Sequence, residues 1–564
     1  MKNKIRNIVA EFTREGVDFD ISISPRPELG HYSTSLALKL AKREDENPLE
    51  FAKKLALDIK SSAPVGLFDR VEAVAPGFIN FWLTEKFIRE SLKFIVKEGE
   101  NYGRSKIGKG KRVIVEYSSP NIAKPMHVGH LRSTIIGDAL ANIFEFTGHK
   151  VTRWNYISDW GTQFGKLVAA YKLWGDDEKI KNNPIDALLD LYIKFSREEK
   201  KDPSLADKGR EEFWKLEKDD KENRRLWSWF KKESLIEFNK IYNRLGVSFD
   251  ETIGESNFQK DLSRIIDLLK EKKVAEPSEG SLIVRLDKFN LPTALVQKSD
   301  GASLYITREL ANLQFRLKKY KSDKILYVVG NEQSLYFNQF FAIANLLGWN
   351  KAELIHVKFG LTLGEDRKKF ATREGKLIPL EEVINRSVEL ARRVVEVKNP
   401  NLREEKKQNI AEVIGIGALK YYDLKENRMS GIIFDWDQML DLRGNSAPYI
   451  QYTYARLMGI KSKIGRPGRA DFNLLTEKVE LGLIKMLIDF PDTVSEVTRN
   501  LITSNLAGYL YGLASEANRF YELVPVIKDN NPDRRSARVA LVGAIAQTLK
   551  TGLGLLGIEV LEEI

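Results

Sequence analysis

The 564-residue chain reads as an α/β protein built on a parallel sheet, with a smaller α/β segment before it and helices after it. Three observations predict this. Residues 112–117 form a short β-branched strand, followed by a polar loop, a stretch 131–146 with apolar residues at helical spacing, and a second strand at 151–156. Strand, loop, helix, strand is the opening unit of a parallel α/β sheet. Short apolar runs return at 281–286, 324–330 and 353–359, with a helical run 337–347 between the last two, so a helical insertion splits the sheet. After Pro400 the spacing is helical nearly to the end, including 445–460 and 536–556.

Taken in order, residues 1–100 read helix, loop, helix and then two apolar stretches. Asn47 is a good N-cap, and Pro48 then falls at the first helical position, where its missing N–H costs nothing. The stretches 71–75 and 78–82 flank Pro76-Gly77 and read as strands around a turn. The loop 103–111, rich in Gly and Lys, marks a boundary. Three domains are therefore expected: 1–104, 108–390 with a charged helical insertion at about 165–275, and 395–564. The dense charge run 217–225 is read as a solvated helix face.

Hydrophobic residues make up 43% and charged residues 30%, a globular composition. The chain contains no cysteine, which excludes disulfides, thiolate zinc sites, iron–sulfur clusters and cysteine nucleophiles. Lys and Arg number 90 against 79 Asp and Glu, and the net charge of +11 hints at an anionic partner. Nowhere do eighteen apolar residues run together, so no membrane partner is expected. The opening stretch is charged without an apolar core and does not read as a secretory signal.

Chemistry concentrates in Ser118-Ser119-Pro120-Asn121-Ile122-Ala123-Lys124-Pro125-Met126-His127-Val128-Gly129-His130-Leu131-Arg132-Ser133-Thr134. The chain has five histidines, and two of them stand here as His-x-Gly-His. The loop leaves a strand and enters a helix, where backbone N–H groups and the dipole favour phosphate. His127 and His130 can donate to phosphate oxygens, Lys124 adds a fixed cation, and Gly129 lets a base or ribose approach the backbone. His-x-x-His could also be a metal pair, but no third ligand cluster accompanies it, and no metal site is expected.

His-x-Gly-His after such a strand resembles the class I aminoacyl-tRNA synthetases, and the longer string resembles their arginyl members. The resemblance spans the chain. Ser158-Asp159-Trp160-Gly161-Thr162-Gln163-Phe164-Gly165 is similar to that family's G-D-W-G-x-Q-F-G. Leu304-Tyr305-Ile306-Thr307-Arg308-Glu309 is similar to its L-Y-x-T-R-D, with Glu for Asp. Gly330-Asn331-Glu332-Gln333 resembles its ribose- and amino-acid-side loop, and the stretch 441–452 its anticodon-domain signature. Gly30-His31-Tyr32 and Ala75-Pro76-Gly77-Phe78-Ile79-Asn80 resemble the domain the family sets against the tRNA elbow.

The resemblance implies a Rossmann-type class I catalytic domain, a small N-terminal α/β domain and an all-α C-terminal anticodon-binding domain. It implies ATP-dependent ligation of L-arginine to the terminal adenosine of its tRNA, with Mg²⁺ accompanying ATP and no zinc, in a cytoplasmic monomer. Another class I synthetase, or an inactive tRNA-binding relative, is the alternative. Arginine binding falls on Ser119, Pro120, Asn121, His130, Tyr305, Glu309 and Gln333, with Glu116 facing the pocket from the strand end. Glu116 and Glu309 would supply two negative charges to a planar guanidinium. Nucleotide contacts fall on His127, Gly129, His130, Gly330 and Glu332. The family's mobile Lys-Met-Ser-Lys-Ser loop corresponds to 364–375, where the second lysine is missing; Lys369 and Arg373 remain, and Lys124 could replace the lost charge. Arg26, Leu29, His31 and Tyr32 are expected at the tRNA elbow, although Leu29 and His31 replace more usual Phe and Gln. Tyr449, Tyr452 and Arg456 share one helical face and are expected at unstacked anticodon bases.

Overall fold

Five parallel strands carry the centre of the molecule. A computed structural model describes residues 1–564 except 14–16, 25, 300–303, 365–377 and 465–467. The strands are β1 (Arg112–Glu116), β2 (Lys150–Ile157), β3 (Glu251–Gly254), β4 (Lys324–Gly330) and β5 (Glu353–Phe359), in the order β5-β4-β1-β2-β3. The register is unbroken, with Lys324 opposite Val113, Arg112 opposite Lys150 and Trp154 opposite Glu251. The order runs outward from β1 on one side and from β4 on the other. Their carboxyl ends therefore meet at a topological switch point, where open α/β sheets bind ligands.

Both faces of this sheet are covered, which is why its central strands are continuously apolar. Val113, Val115, Leu326 and Val328 join one buried cluster, and Ile114, Ile325 and Tyr327 join another, following the period of two. Helix α1 (Val128–Phe146) connects β1 to β2. Between β2 and β3 lies a helical group that includes α2 (Pro184–Glu199) and α3 (Lys221–Arg244). Helices α4 (Tyr305–Lys319) and α5 (Ser334–Leu346) flank β4.

Three sequence expectations are corrected here. The stretch expected as a helical insertion contains β3, which is too short and too mixed for its periodicity to show. The run 281–286 does not join the parallel sheet; Ser281–Val284 is the middle strand of a separate antiparallel sheet with Glu276–Ser278 and Ala294–Gln297. The charge run 217–225 is not one helix face. One helix ends at Glu217, α3 starts at Lys221, and the Asp220 carboxylate caps it by accepting the Asn223 N–H at 3.0 Å.

The N-terminal part is a four-stranded antiparallel sheet with helices, and Phe68–Val74 and Phe78–Leu83 pair around Pro76-Gly77. Asn47 caps the helix Pro48–Ser62 by accepting from Leu49 and Glu50. The C-terminal part is helical. Helix α6 (Leu380–Lys398) runs through the boundary expected at 390–395 and packs on α7 (Glu404–Leu424). Ile432–Ile433 returns to pair with Thr362–Leu363, stitching the chain beyond 400 to the end of β5. Then come α8 (Ala447–Ile464) and α9 (Lys478–Asn500), against which the N-terminal part docks.

Candidate active site

The loop between β1 and α1 is held in an unusual backbone. Ser118, Ser119 and Ala123 have φ of 71°, 51° and 61°, a region that costs a non-glycine residue on the order of 1 kcal/mol or more. Side chains from three other elements fix it. The Ser118 N–H donates to Ser133 Oγ at 2.9 Å, and that hydroxyl donates to the Val328 carbonyl at 2.7 Å. The Ser119 N–H donates to Asn155 Oδ1 at 3.2 Å, and the Ala123 N–H to Ser234 Oγ at 3.0 Å. Pro120 and Asn121 bridge to the end of β2: the Pro120 carbonyl accepts the Ser158 N–H at 3.2 Å.

The two histidines close the loop onto the helix. His127 is the N-cap of α1 and its Nδ1 accepts the Gly129 N–H at 3.1 Å; His130 Nδ1 accepts the His127 N–H at 3.1 Å. Both rings thus carry their proton on Nε2, which leaves each a neutral N–H donor. Burial pushes both below the ordinary histidine range, and repulsion with His127, were both to be protonated, adds to burial in holding His130 down to about 3. Gly129 is exposed, and a Cβ there would meet the His127 ring at 2.9 Å.

The segment after 365–377 emerges beside this loop. The Leu380 N–H donates to the Met126 carbonyl at 2.8 Å, and Pro379 bridges His127. Lys369 and Arg373 lie outside the described residues. Lys124 Nζ stands 4.9 Å from the Tyr192 ring centroid on α2.

The second half of the site is a buried polar stripe. Tyr305, Glu309, Asn312 and Arg316 recur on one face of α4 at helical spacing. Glu309 is 2% exposed, and neither carboxylate oxygen has a hydrogen-bond partner. Burial first, and then the neighbouring Glu116, push its pKa well up. The hydroxyls of Tyr156, Tyr327 and Tyr336 are also buried and unpartnered. Tyr305 is 44% exposed as a residue and its ring packs 5.2 Å from that of Tyr336; desolvation first, and then the acids Glu309, Glu255 and Glu116, push its phenol up. A buried carboxylate without donors is costly until a ligand brings them.

Glu116 corrects the sequence expectation of two free charges. It ends β1 in the pocket, but its carboxylate is taken by Arg316, whose guanidinium lies 4.4 Å from the Trp154 ring. Gly330 caps the short turn Asn331–Gln333 at the end of β4; Glu332 and Gln333 are exposed there. Among the described residues no three His, Asp or Glu side chains gather as a metal site. A hollow of about 480 Å³ opens at the opposite, amino-terminal edge of the sheet, lined by Val113, Lys324 and Glu353, and contains none of the expected site residues.

The terminal residues separate into exposed and absorbed. Arg26 and Leu29 are exposed. His31 is half-buried; its Nδ1 accepts the Leu83 N–H at 2.9 Å, and burial, then Lys485, push it down to about 4. Tyr32 is fully buried and donates to Asp489 Oδ1 at 2.6 Å, so it is a docking residue of α9 and presents no surface to RNA. Tyr449 packs 5.6 Å from Tyr511, the Tyr452 hydroxyl is buried, and Arg456 donates to Asn518 Oδ1 at 2.5 Å.

Sequence reasoning missed Arg316, and it gave no role to Arg132 or Asp159, which stand inside its motifs. Arg132 is 1% exposed and ties α1 to Asp423 on α7 at 2.9 Å and to the Gly360 carbonyl at 2.7 Å. Asp159 is buried, pairs with Lys231 at 2.6 Å and accepts from Ser256. The available signal for Arg316 was the polar stripe on α4; a cation in register with Tyr305 and Glu309 belongs to the same face.

The chain matches known proteins along almost its whole length. The family model for the catalytic domain of "tRNA synthetases class I (R)" matches residues 91–436, the "DALR anticodon binding domain" matches 450–564, and the "Arginyl tRNA synthetase N terminal domain" matches 1–83. Proteins named arginine–tRNA ligase from Clostridium acetobutylicum and Clostridium perfringens are 40% and 41% identical, each over 99% of both chains. A crystal structure of arginyl-tRNA synthetase from Plasmodium falciparum superposes with a TM-score of 0.83 at 28% identity, covering 100% of this chain and 98% of that one. The Thermus thermophilus enzyme, 24% identical with a TM-score of 0.85 over 100% and 99% of the two chains, shares the fold.

Proposed function

The chain belongs to the class I arginyl-tRNA synthetases, and on that premise we propose that the residues of the His-x-Gly-His loop and of α4 together join L-arginine to its tRNA with ATP. In the first step an arginine carboxylate oxygen attacks the α-phosphorus of ATP, and the bond to pyrophosphate breaks. In the second, the 2′-hydroxyl of the tRNA's terminal adenosine attacks the carbonyl carbon, loses its proton, and AMP leaves. The protein supplies no nucleophile; its contribution is position and charge stabilisation.

His127 and His130 donate from Nε2 to oxygens on which charge develops, as neutral groups that need no proton exchange with solvent. Gly129 leaves the adenosine room, with Gly330 and Glu332 on the ribose side. Lys124, Lys369 and Arg373 supply cations to the pyrophosphate. Mg²⁺ arrives as part of the ATP complex, carried by the phosphates. Glu309 receives the guanidinium with the Tyr305 hydroxyl beside it, while Ser119, Pro120, Asn121 and Gln333 border the α-amino and carboxylate end. For tRNA, Arg26, Leu29 and His31 face the elbow and the Tyr449–Arg456 helix faces the anticodon loop. The enzyme works as a monomer in the cytoplasm.

The observation that carries this reading is the Glu309 carboxylate, buried with both oxygens unpartnered. In its ionised form it suits a ligand with several N–H donors and a positive charge, and guanidinium has five donors. ATP–pyrophosphate exchange in the presence of tRNA tests it. Arginine should support exchange; citrulline, which lacks the charge, and lysine, which lacks the fork, should fall short by about 10⁴ or more. Comparable exchange with citrulline would overturn the assignment.

A further inference from the structure

The turn of α1 that follows the two histidines is gripped from two strands of the sheet. Ser133 Oγ donates to the Val328 carbonyl on β4 at 2.7 Å. Its neighbour Arg132 is 1% exposed and reaches the chain beyond β5. Arg132 Nη1 donates to the carbonyls of Gly360 at 2.7 Å and Ser430 at 3.0 Å, and Nη2 to that of Arg428 at 3.4 Å. We propose that Arg132 is a positioning residue for adenylate formation: its guanidinium fork fixes the start of α1 against the end of β5 and the segment 428–430, and thereby sets where the Nε2 donors of His127 and His130 stand. This rests on the reading that the two histidines serve the phosphates of ATP.

The guanidinium divides its work between two tasks. Nε lies 2.9 Å from Asp423 Oδ2 on α7, yet neither Nε nor Asp423 Oδ1 has a partner in hydrogen-bond geometry. Asp423 therefore balances a buried charge, while the three directional bonds go to backbone carbonyls. The two segments that carry those carbonyls touch. The Gly360 N–H donates to the Arg428 carbonyl at 2.8 Å, and a Cβ on Gly360 would stand 2.6 Å from the Ser430 carbonyl oxygen. Glycine at this position is what lets carbonyls from two stretches of chain converge on one fork. Arg428 in turn donates to the Lys358 carbonyl at 2.7 Å and to the Leu501 carbonyl at 3.0 Å, which holds the segment from its other side. A lysine at 132 would keep a charge for Asp423, but a compact ammonium on a flexible stem does not reproduce a planar fork. The histidines stand close to this grip. His130 precedes Arg132 by two residues, about 3 Å along the helix axis. A group misplaced by about 1 Å can lose on the order of 10² in rate.

The test is ATP–pyrophosphate exchange by the full-length enzyme with tRNA present, reading kcat, arginine KM and ATP KM, with thermal melts alongside. R132K keeps the charge and loses the fork, so kcat should fall about tenfold to a hundredfold with both KM values within about threefold of wild type. G360A leaves Arg132 intact but pushes its carbonyl partners apart, and it should show the same split between kcat and KM. Because both changes act on one contact, R132K/G360A should be little worse than the poorer single variant, well short of the product of the two losses. D423N removes the charge partner and keeps the fork; its melting temperature should fall, with kcat within about threefold. A merely structural arginine gives a different pattern. Either R132K leaves kcat unchanged, or R132K and D423N lower it alike, in step with their melts; each result overturns the proposal. R132K and G360A losses that multiply overturn it too. Should R132K fail to fold, G360A against D423N still decides. The underlying reading fails separately, by H130A leaving kcat unchanged while R132K behaves as described.

Discussion

Glu309 and Asp489 are both buried carboxylates, and desolvation raises the pKa of both. Asp489 sits where the N-terminal part meets α9, and its oxygens are met by the Tyr32 hydroxyl at 2.6 Å and the Lys485 ammonium at 2.5 Å. Glu309 lies on α4 in the proposed arginine site, and neither of its oxygens has a hydrogen-bond partner within normal geometry. The tyrosines follow suit. Tyr32 donates to an acid in the same chain, while the hydroxyls of Tyr156 and Tyr336 have no partner. A saturated polar cluster holds two domains together. An unsaturated one is a standing demand for a ligand, and its cost is tolerated because the ligand settles it.

The largest effect should come from removing that demand. Glu309→Gln should lower kcat/KM for arginine by about 10²–10³ or more, as losing one member of a buried charge pair does, with ATP KM little changed. The same change should leave the melting temperature unchanged or raised, because it discharges an unpaired buried acid. Asp489→Asn should do the reverse: a lower melting temperature and near-normal arginine kinetics. If both variants lose stability alike, the distinction between the two acids is wrong. The pH dependence has a definite sign. Arginine needs ionised Glu309, whose pKa in the free protein is raised, so below that pKa binding must expel a proton. Arginine KM should therefore fall as pH rises and then level off, and Glu309→Gln should flatten the profile.

On the phosphate side His130→Ala should lower kcat by about 10²–10³, the usual cost of one preorganised donor. Because His130 is held down to about 3, chiefly by burial, and is neutral at pH 6 to 8, kcat should show no acid limb from it there. A kcat that falls with a midpoint near 6.5 would mean that a protonatable imidazole faces solvent instead. Lys124→Ala should be milder, roughly tenfold on adenylate formation, about 1.4 kcal/mol, with arginine binding retained. Pre-steady-state kinetics separates the two steps; a loss confined to arginine KM would put Lys124 on the wrong side of the cavity.

What was legible in the sequence follows the same division. The loop 118–134 could be read because its function is local: strand, turn, cap and two histidines are contiguous, and α1 starts at Val128 with His127 as its cap. Glu309 and Tyr305 were found because they stand in one contiguous motif that resembles the family's, which the structure places on one turn of α4. The neutralisation of Glu116 was not legible, since Arg316 lies 200 residues away and meets it only through the parallel pairing of β1 and β4. Strand β3 was missed because four mixed residues at a sheet edge carry no usable period. Tyr32 was misread for a related reason. Exposure of an aromatic next to a glycine turn cannot be told from its neighbours in sequence when the surface that covers it, α9, arrives more than 450 residues later.

The smallest expected effect on arginylation is that of Tyr32→Phe, and it decides between two readings of the same residue. The change keeps the ring and removes one hydroxyl. In the structure that hydroxyl donates to Asp489 Oδ1, an acid that retains only Lys485 when the donor is gone. Hydrogen bonds to charged groups contribute about 1.5–3 kcal/mol, so the interface between the N-terminal part and α9 should loosen by an amount of that order. The tyrosine donor also favours the ionised acid; without it Asp489, already raised by burial, should move further up. The stability lost should therefore be greater at higher pH, where more of Asp489 is ionised, and shrink as pH falls and the acid takes up a proton. Arginine KM and kcat should stay within about twofold, or roughly 0.4 kcal/mol, because the cavity lies in another domain. If Tyr32 were a tRNA contact, the pattern would invert: the tRNA KM would rise, with an unchanged melt and no pH dependence of the loss. Measuring both quantities on one variant separates a residue that docks a domain from one that reads an RNA.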